Sequence, residues 1–316
     1  MALSEPIVFE PIAMERVWGG RRLEALFGKK LPPGVPIGEL WEVVDREDAQ
    51  SVVHNAPYRG TTLNELWTTK REEVFGTAYA HHPAPRFPML IKLLDARERL
   101  SVQVHPPVDL AASLNGEPKT EMWYFASTQP GANIYAGLKN GTTRDRFERL
   151  LRDGRVEETL HTASVEAGDS IFIPSGRLHA IGEGNVIVEV QQNSDTTYRV
   201  FDWNRVGLDG VPRKLHIEES MVSTDFEDFE PGIDHIQHGV IAECPYFRVE
   251  KLVIAEPIPA TVDSRFAIFS VLSGSVTCGA RHFQPGDFFL APASLDGAVI
   301  TPENGPAELL RSTLPV

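Results

Sequence analysis

The sequence predicts a mainly β protein made of two successive jelly-roll β-barrels with a few short helices. Two observations carry that reading. The 316 residues include 25 Gly and 24 Pro spread along the chain, and these punctuate apolar runs of strand rather than helix length. In addition, V-E-A-G-D-S-I-F-I-P-S at 165–175 returns as F-Q-P-G-D-F-F-L-A-P-A at 283–293, an internal repeat that marks a duplicated unit. The expected division is a larger unit at 1–230, carrying an N-terminal extension and the short helices, and a smaller one at 235–316. Between them, the acidic stretch D-F-E-D-F-E-P-G-I-D at 225–234 reads as a linker.

Composition narrows the class. Hydrophobic residues make up 42% of the chain and charged residues 23%, ordinary values for a globular protein with a sizeable core. A net charge of −14, with no basic patch or tail, argues against nucleic acid and against an anionic membrane surface as partners. A small anionic substrate is still allowed, since it needs only a local group of Lys and Arg. No run approaches the ~18 apolar residues of a membrane span, and the N-terminus lacks the basic start and apolar run of a signal peptide. Cys244 and Cys278 are too few for a disulfide framework and have no CxxC spacing. The expectation is a soluble protein of the reducing cytoplasm.

Taken in order, residues 5–60 read as short extended pieces containing W-G-G at 18–20 and G-E-L-W-E-V-V at 38–44. Trp18 and Trp41 suit core positions there. A helix is expected at 62–75, with Thr62 as N-cap and Glu65 completing a capping box. Leu63, Leu66, Trp67 and Val74 share one of its faces, which should pack on a sheet. Residues 88–105 form two strands around a charged turn. Lys92 sits inside the first apolar run, where it either snorkels outward or faces an anion. A short helix at 144–152 leads to the unit 168–179, a Gly-Asp turn, a strand at 170–173, a rigid turn with Pro174 and Gly176, and then His179.

Alternate side chains of a strand share a face. This puts Gln103 with His105, opposite Val102 and Val104. It also puts Lys119, Glu121 and Trp123 together, opposite Met122, and sets Glu189 and Gln191 against Val186, Val188 and Val190. In an ordinary sandwich those polar faces meet solvent; in a barrel they line the lumen. The spacing G-x5-P-x-G-x2-H, filled by Gly168, Pro174, Gly176 and His179, is the second signature of the cupins, small β-barrels with a metal in the mouth. A lumen lined by Gln103, His105, Glu121 and His179 offers two imidazoles, a carboxylate and an amide, a set for Zn2+ that also admits Mn2+ or Fe2+. The remaining histidines (54, 81, 82, 161, 216, 235, 238 and 282) lack a partner at useful spacing and read as surface or structural. In the second copy of the repeat, Gly297 stands where His179 stands in the first, so the smaller cupin-like unit is expected to have lost its metal.

The segments S-V-Q-V-H-P (101–106), K-T-E-M-W-Y (119–124), G-D-S-I-F-I-P-S-G-R-L-H-A (168–180) and V-E-V-Q-Q-N-S-D-T-T-Y-R-V-F-D-W (188–203), in that order, resemble the type I phosphomannose isomerases. Those are zinc-dependent two-cupin enzymes that convert mannose 6-phosphate to fructose 6-phosphate. The W-G-G and G-E-L-W-E segments fit their short bacterial branch. The resemblance covers 10–215 well and the rest loosely. It implies one zinc per chain with Gln103, His105, Glu121 and His179 as ligands, Arg199 as the active-site arginine, Lys119 beside the site, and roles for Glu189 and Arg205. The chain departs from the longer members in having only P-K-T-E at 118–121 and no room for their helical insertion.

Aldose–ketose interconversion moves a proton between C1 and C2 through a cis-enediol. It needs a Lewis acid on the oxygens, a base near the carbons and a clamp for the phosphate. Arginine, with a pKa above about 12, is a poor proton acceptor, so Arg199 is expected to stabilise the enediolate or orient the sugar. Glu189, Lys119 and a hydroxide held by the metal remain as bases. Arg205, Lys92 and Arg177 are candidates for the phosphate. Alternative readings are an isomerase or epimerase of another sugar phosphate, a sugar-binding cupin without catalysis, and a metal-dependent oxygenase or decarboxylase.

Overall fold

The computed structural model describes residues 4–295 and 297–315, and three sheets dominate it. The first runs in the order β1 (Ile12–Gly20), β2 (Ile37–Val43), β3 (Met89–Ala96), β10 (Asn185–Gln192), β5 (Glu121–Thr128), β8 (Ser170–Ile173). The second is β11 (Tyr198–Phe201), β4 (Val102–Val104), β9 (His179–Ile181), β6 (Asn133–Leu138), β7 (Leu160–Ser164). The third is β12 (Gly239–Glu243), β13 (Arg248–Ile254), β18 (Val299–Thr313), β15 (Ala267–Cys278), β16 (Arg281–Phe283), with β14 (Ile258–Pro259) on β18 and β17 (Phe288–Ala291) on β15. The helices are short: α1 (Arg22–Phe27), α2 (Leu63–Thr69), α3 (Arg71–Phe75), α4 (Val108–Ala111), α5 (Arg144–Arg152) and α6 (Ile217–Ser223). None is long and apolar enough to cross a membrane.

The alternation in β10 explains how the layers stack. Val186, Val188 and Val190 join a core that includes Leu66 and Trp67 of α2 and residues of the third sheet such as Phe269 and Leu309. Ile187, on the other face, packs with Trp123, Ile171, Ile173, Ile134 and Ile181 between the first two sheets. The first sheet is thus covered on both sides, and β3 is buried along its whole length. The second sheet turns Val102, Val104 and Val200 outward against Phe147 and Leu151 of α5 and Met221 of α6. The first two sheets remain separate rather than closing into a barrel, because β1 and β8 of one and β11 and β7 of the other are sheet edges. The mainly β class holds; the closed cylinders are not found.

Two local expectations change. The helix at 62–75 has the capping box, with Thr62 accepting from Glu65 N and Glu65 reaching back. It breaks at Lys70, whose φ of −129° is not helical, into α2 and α3. All four of Leu63, Leu66, Trp67 and Val74 are still fully buried. The stretch 225–234 is no free linker. Leu138 N donates to Asp228 O, Glu230 N to Leu138 O, and Ser170 and Asp234 exchange backbone hydrogen bonds, so its peptide groups pair with the end of β6 in the second sheet and with the edge strand β8 of the first.

The repeat is structural as well as textual. Gly168 and Gly286 both adopt positive φ, +99° and +88°, where a side chain is strained. Asp169 Oδ2 accepts from Glu166 N, and Asp287 Oδ2 accepts from Gln284 N, each at 2.8 Å. The following strands β8 and β17 pair with β5 and β15. In the smaller unit the interior is filled by Phe269, Phe283 and Phe289 in stacked contact. The N-terminal extension reaches this unit, since Ile7 and Leu290 exchange backbone hydrogen bonds.

Trp67 is fully buried with edge contacts to Phe75 and Phe87. Trp67→Ala should cost about 3–5 kcal/mol in urea unfolding, because neither helix layer nor sheet can collapse into the gap.

Candidate active site and metal centre

The site sits at one end of the sandwich, above the Ile187–Trp123 layer. In the second sheet, Arg199, Gln103 and His179 lie in one row across β11, β4 and β9. In the first, Glu121 of β5 faces Gln191 of β10, and Trp123 faces Glu189. His105 follows β4 directly. The structure brings His105 and Glu121 to His179 and sets Gln103, Lys119 and Glu189 on an adjoining cleft, while Gln191 instead donates to Gln192 O and Ser194 O.

His105, Glu121 and His179 are completely or almost completely buried, and one ligand atom from each lies within 4.8 Å of the others. His105 Nε2 is 3.5 Å and His179 Nε2 3.4 Å from the Glu121 carboxylate. Neither Nε2, nor Glu121 Oε1, has a hydrogen-bond partner among the described residues. Each ring is fixed from behind: His105 Nδ1 donates to Thr196 O at 2.8 Å and His179 Nδ1 to Arg177 O at 2.9 Å. That leaves the Nε2 lone pairs pointing at the carboxylate, as in a metal site whose outer hydrogen bonds set the tautomer. Burial, with the Lys119 charge adding to it, pushes His105 down to about 3, and burial lowers His179 as well. Both imidazoles are neutral and ready to ligate. Orphaned buried acceptors with no proton to share are costly; a divalent cation satisfies all of them, so these residues fit one. Gln103, between Arg199 and His179 in the strand row, lines the adjoining cleft.

Charged residues surround this cluster in an alternating chain. Lys119 Nζ is 2.8 Å from Glu121 Oε2 and 4.0 Å from Glu189 Oε1. Burial alone would lower its pKa, but the two carboxylates outweigh burial and raise it. Glu189 Oε1 is 3.0 Å from Lys92 Nζ, and its Oε2 accepts from Trp123 Nε1 at 2.9 Å. Burial raises Glu189, with the Glu121 charge adding, against Lys92 and Lys119. Lys92 does not snorkel; it is 3% exposed.

Above the cluster opens a cleft of about 590 Å³, lined among others by Trp18, Lys92, Gln103, Lys119, Glu189 and Arg199. Arg16, Glu39, Asp195 and Arg213 also line it, and the sequence reading had missed them. Glu39 was within reach, since alternation in β2 sets it beside Trp41, whose Nε1 donates to it. Arg16 binds the same carboxylate through two nitrogens, and Glu39 is lowered to about 2 because Lys92, Arg16 and the Trp41 hydrogen bond overcome its burial. Arg205 and Arg177 are not among the lining residues. Arg205 binds Asp202 and Arg99 O. Arg177 is held by both oxygens of Asp228 and by Phe172 O, and it presents the carbonyl that orients His179. Of the other histidines, His216 hydrogen-bonds the backbone of Arg199 in both directions.

Residues 8–134 match the family model described as phosphomannose isomerase type I, catalytic domain. Mannose-6-phosphate isomerase ManA of Bacillus subtilis (strain 168) is 36% identical over 305 residues, covering 92% of this chain and 94% of the relative. The chain belongs to the type I phosphomannose isomerase family. Another relative, the mannose-6-phosphate isomerase of Streptococcus mutans serotype c (strain ATCC 700610 / UA159), is 34% identical over 304 residues, 93% of this chain and 94% of the relative. The crystal structure of the mannose 6-phosphate isomerase from Bacillus subtilis superimposes with a TM-score of 0.85 at 31% identity, covering 98% of this chain and all of that one. Membership accounts for the alignment of the four strand segments on one cleft.

Arg177→Ala removes no candidate ligand but frees the carbonyl that holds His179. Metal affinity, measured by competition with a chromophoric chelator, should fall roughly 10–100-fold.

Proposed function

We infer that the chain is a mannose-6-phosphate isomerase that binds one Zn2+ per chain through Gln103, His105, Glu121 and His179. The observation that carries this reading is the convergence of buried, unpartnered ligand atoms next to a cation-rich cleft, which Lys119, paired with Glu121, helps to line, in a member of this family. We read residues 1–230 as a catalytic unit of cupin-type jelly-roll form and 235–316 as a structural duplicate. Phosphorylated sugars being cytoplasmic metabolites, we place the enzyme there.

A divalent metal in this position supplies a Lewis acid for the substrate oxygens and offsets negative charge developing across C1 and C2. Glu189 is the carboxylate next to the cluster that is not itself a candidate ligand, and Trp123 and Lys92 hold its two oxygens in place. It takes the proton from one carbon and returns it to the neighbour, by way of the cis-enediol. Lys119, charged and pinned to Glu121, orients that ligand and presents a positive charge to the enediolate. Arg199 remains a cation and orients the sugar.

A coupled assay with mannose 6-phosphate, on protein whose metal has been quantified, tests this. About one equivalent of zinc is expected, with turnover lost on chelation and restored by added metal. Turnover surviving chelation would overturn the metal role, and bound metal without turnover would overturn the substrate. Glu189→Gln should reduce kcat by roughly 10²–10⁴-fold while metal content stays at the parent level.

A further inference from the structure

We propose that Arg213, together with Arg199, forms the subsite for the phosphomonoester group of the substrate, and that Asp202 and Arg205 position it. The sugar in this proposal rests on the isomerase reading; the recognition of a tetrahedral oxyanion does not.

The cations of the cleft wall separate by their partners. Arg16 is bidentate on Glu39, Lys92 sits on Glu189, and Lys119 sits on Glu121. Asp195 adds its charge to the Arg16 and Lys119 groups. Arg199 is different. Its Nη1 donates to Lys214 O at 2.9 Å, and its Nε is buried without a partner. Arg213 spends Nε and Nη2 on Asp202, at 2.7 and 2.6 Å, and the same carboxylate also takes Arg205 Nε at 2.9 Å. Two guanidinium groups thus share the Asp202 carboxylate, and Arg199 stands within its field, so these three cations keep two positive charges in excess over it, the complement of a phosphate dianion. Asp209, whose Oδ1 accepts from Val211 N, and Glu15 also line the cleft. Burial and the repulsion of Arg213 and Arg205 lower the Arg199 pKa, with Asp202 opposing only in part, which a dianion would relieve. A second cleft, around Arg248, Arg265 and Arg311, has no such surplus, because Glu243, Glu250 and Asp263 pair those arginines.

Placement agrees with charge. Arg199 lies opposite Gln103, and Gln103 opposite His179, so the arginine backbone stands two strand spacings, about 10 Å, from that of the candidate ligand His179. A hexose phosphate with C1 and C2 at the metal centre spans that gap. Arg205 and Arg213 bracket a hairpin closed by the Val206–Pro212 bridge, and Asp202 ties both of its ends. Leu208 and Asp209 at its tip line the cleft. Arg205 turns its Nη1 to Arg99 O at 2.6 Å; its Nη2 is buried without a partner among the described residues, but Arg205 does not line the cleft, which makes it a brace for the hairpin.

The test compares Arg213→Gln, Arg213→Lys and Arg205→Gln in the metal-loaded full chain. Inorganic phosphate, titrated by calorimetry, is the probe, and KM and kcat for mannose 6-phosphate are read alongside. Arg213→Gln should raise the phosphate Kd and the KM together by roughly 10–100-fold, the loss of charge-assisted hydrogen bonds, with kcat within about 3-fold of the parent. Arg213→Lys, a point charge without the fork, should recover only part of it. Phosphate affinity unchanged in Arg213→Gln overturns the proposal. So does an equal loss in Arg205→Gln with a matching fall in Tm, which would mark both arginines as braces. A parent that does not isomerise the sugar sinks the isomerase reading, and the phosphate titration still decides the subsite.

Discussion

Burying charge between two sheets is tolerable only when every charge has an opposite neighbour, and this constraint organises the larger unit. From the cleft rim inward the order is Arg16, Glu39, Lys92, Glu189, Lys119, Glu121, and Glu39 is also within the field of Lys92. Each member offsets the burial cost of the next. The row ends at Glu121, where two neutral imidazoles meet one carboxylate and leave acceptors without protons. A divalent cation would fit as the last term of the series.

That row requires an interior dry enough to make the charges matter and rigid enough to hold them. The first sheet provides both, because helices and the third sheet cover its outer face while the Ile187–Trp123 layer closes the floor of the site. Trp123 belongs to both systems: its ring packs in the apolar layer and against His179, and its indole N–H holds Glu189. A packing residue thereby fixes the group proposed to transfer the proton.

The duplicate unit shows what the same backbone becomes without that demand. Glu121 pairs with Ile173 across β5 and β8, and Ala267 pairs with Ala291 across β15 and β17, so the repeat puts Ala267 in the place of Glu121. Phe269, Phe283 and Phe289 stack where the same alignment sets Trp123, Val165 and Ile171, so the repeat keeps the apolar layer of the larger unit. The turn with its glycine and aspartate is retained because it depends on local backbone geometry alone; a cluster like that of His105, Glu121 and His179 needs side chains from several strands at once.

What could be read from the residues was local or periodic. Period-two alternation placed Gln103 with His105, Lys119 with Glu121, and Glu189 with Gln191 on inner faces, and the capping box of Thr62 and Glu65 is a contact three residues long. The repeat at 165–175 and 283–293 is legible for the same reason. The helix break at Lys70, the docking of 225–234 on β6 and β8 and the absence of a closed barrel among the described residues depend on packing between distant segments. So does the fate of each arginine. Arg177, Arg199, Arg205 and Arg213 look alike in sequence, and only the fold decides which meets a carboxylate and which faces the cleft. Sequence by itself determined the strands, their polar faces and the family; the tertiary structure alone decided which charges were left unpaired, because a charge's balance is set by neighbours that the chain brings from far away.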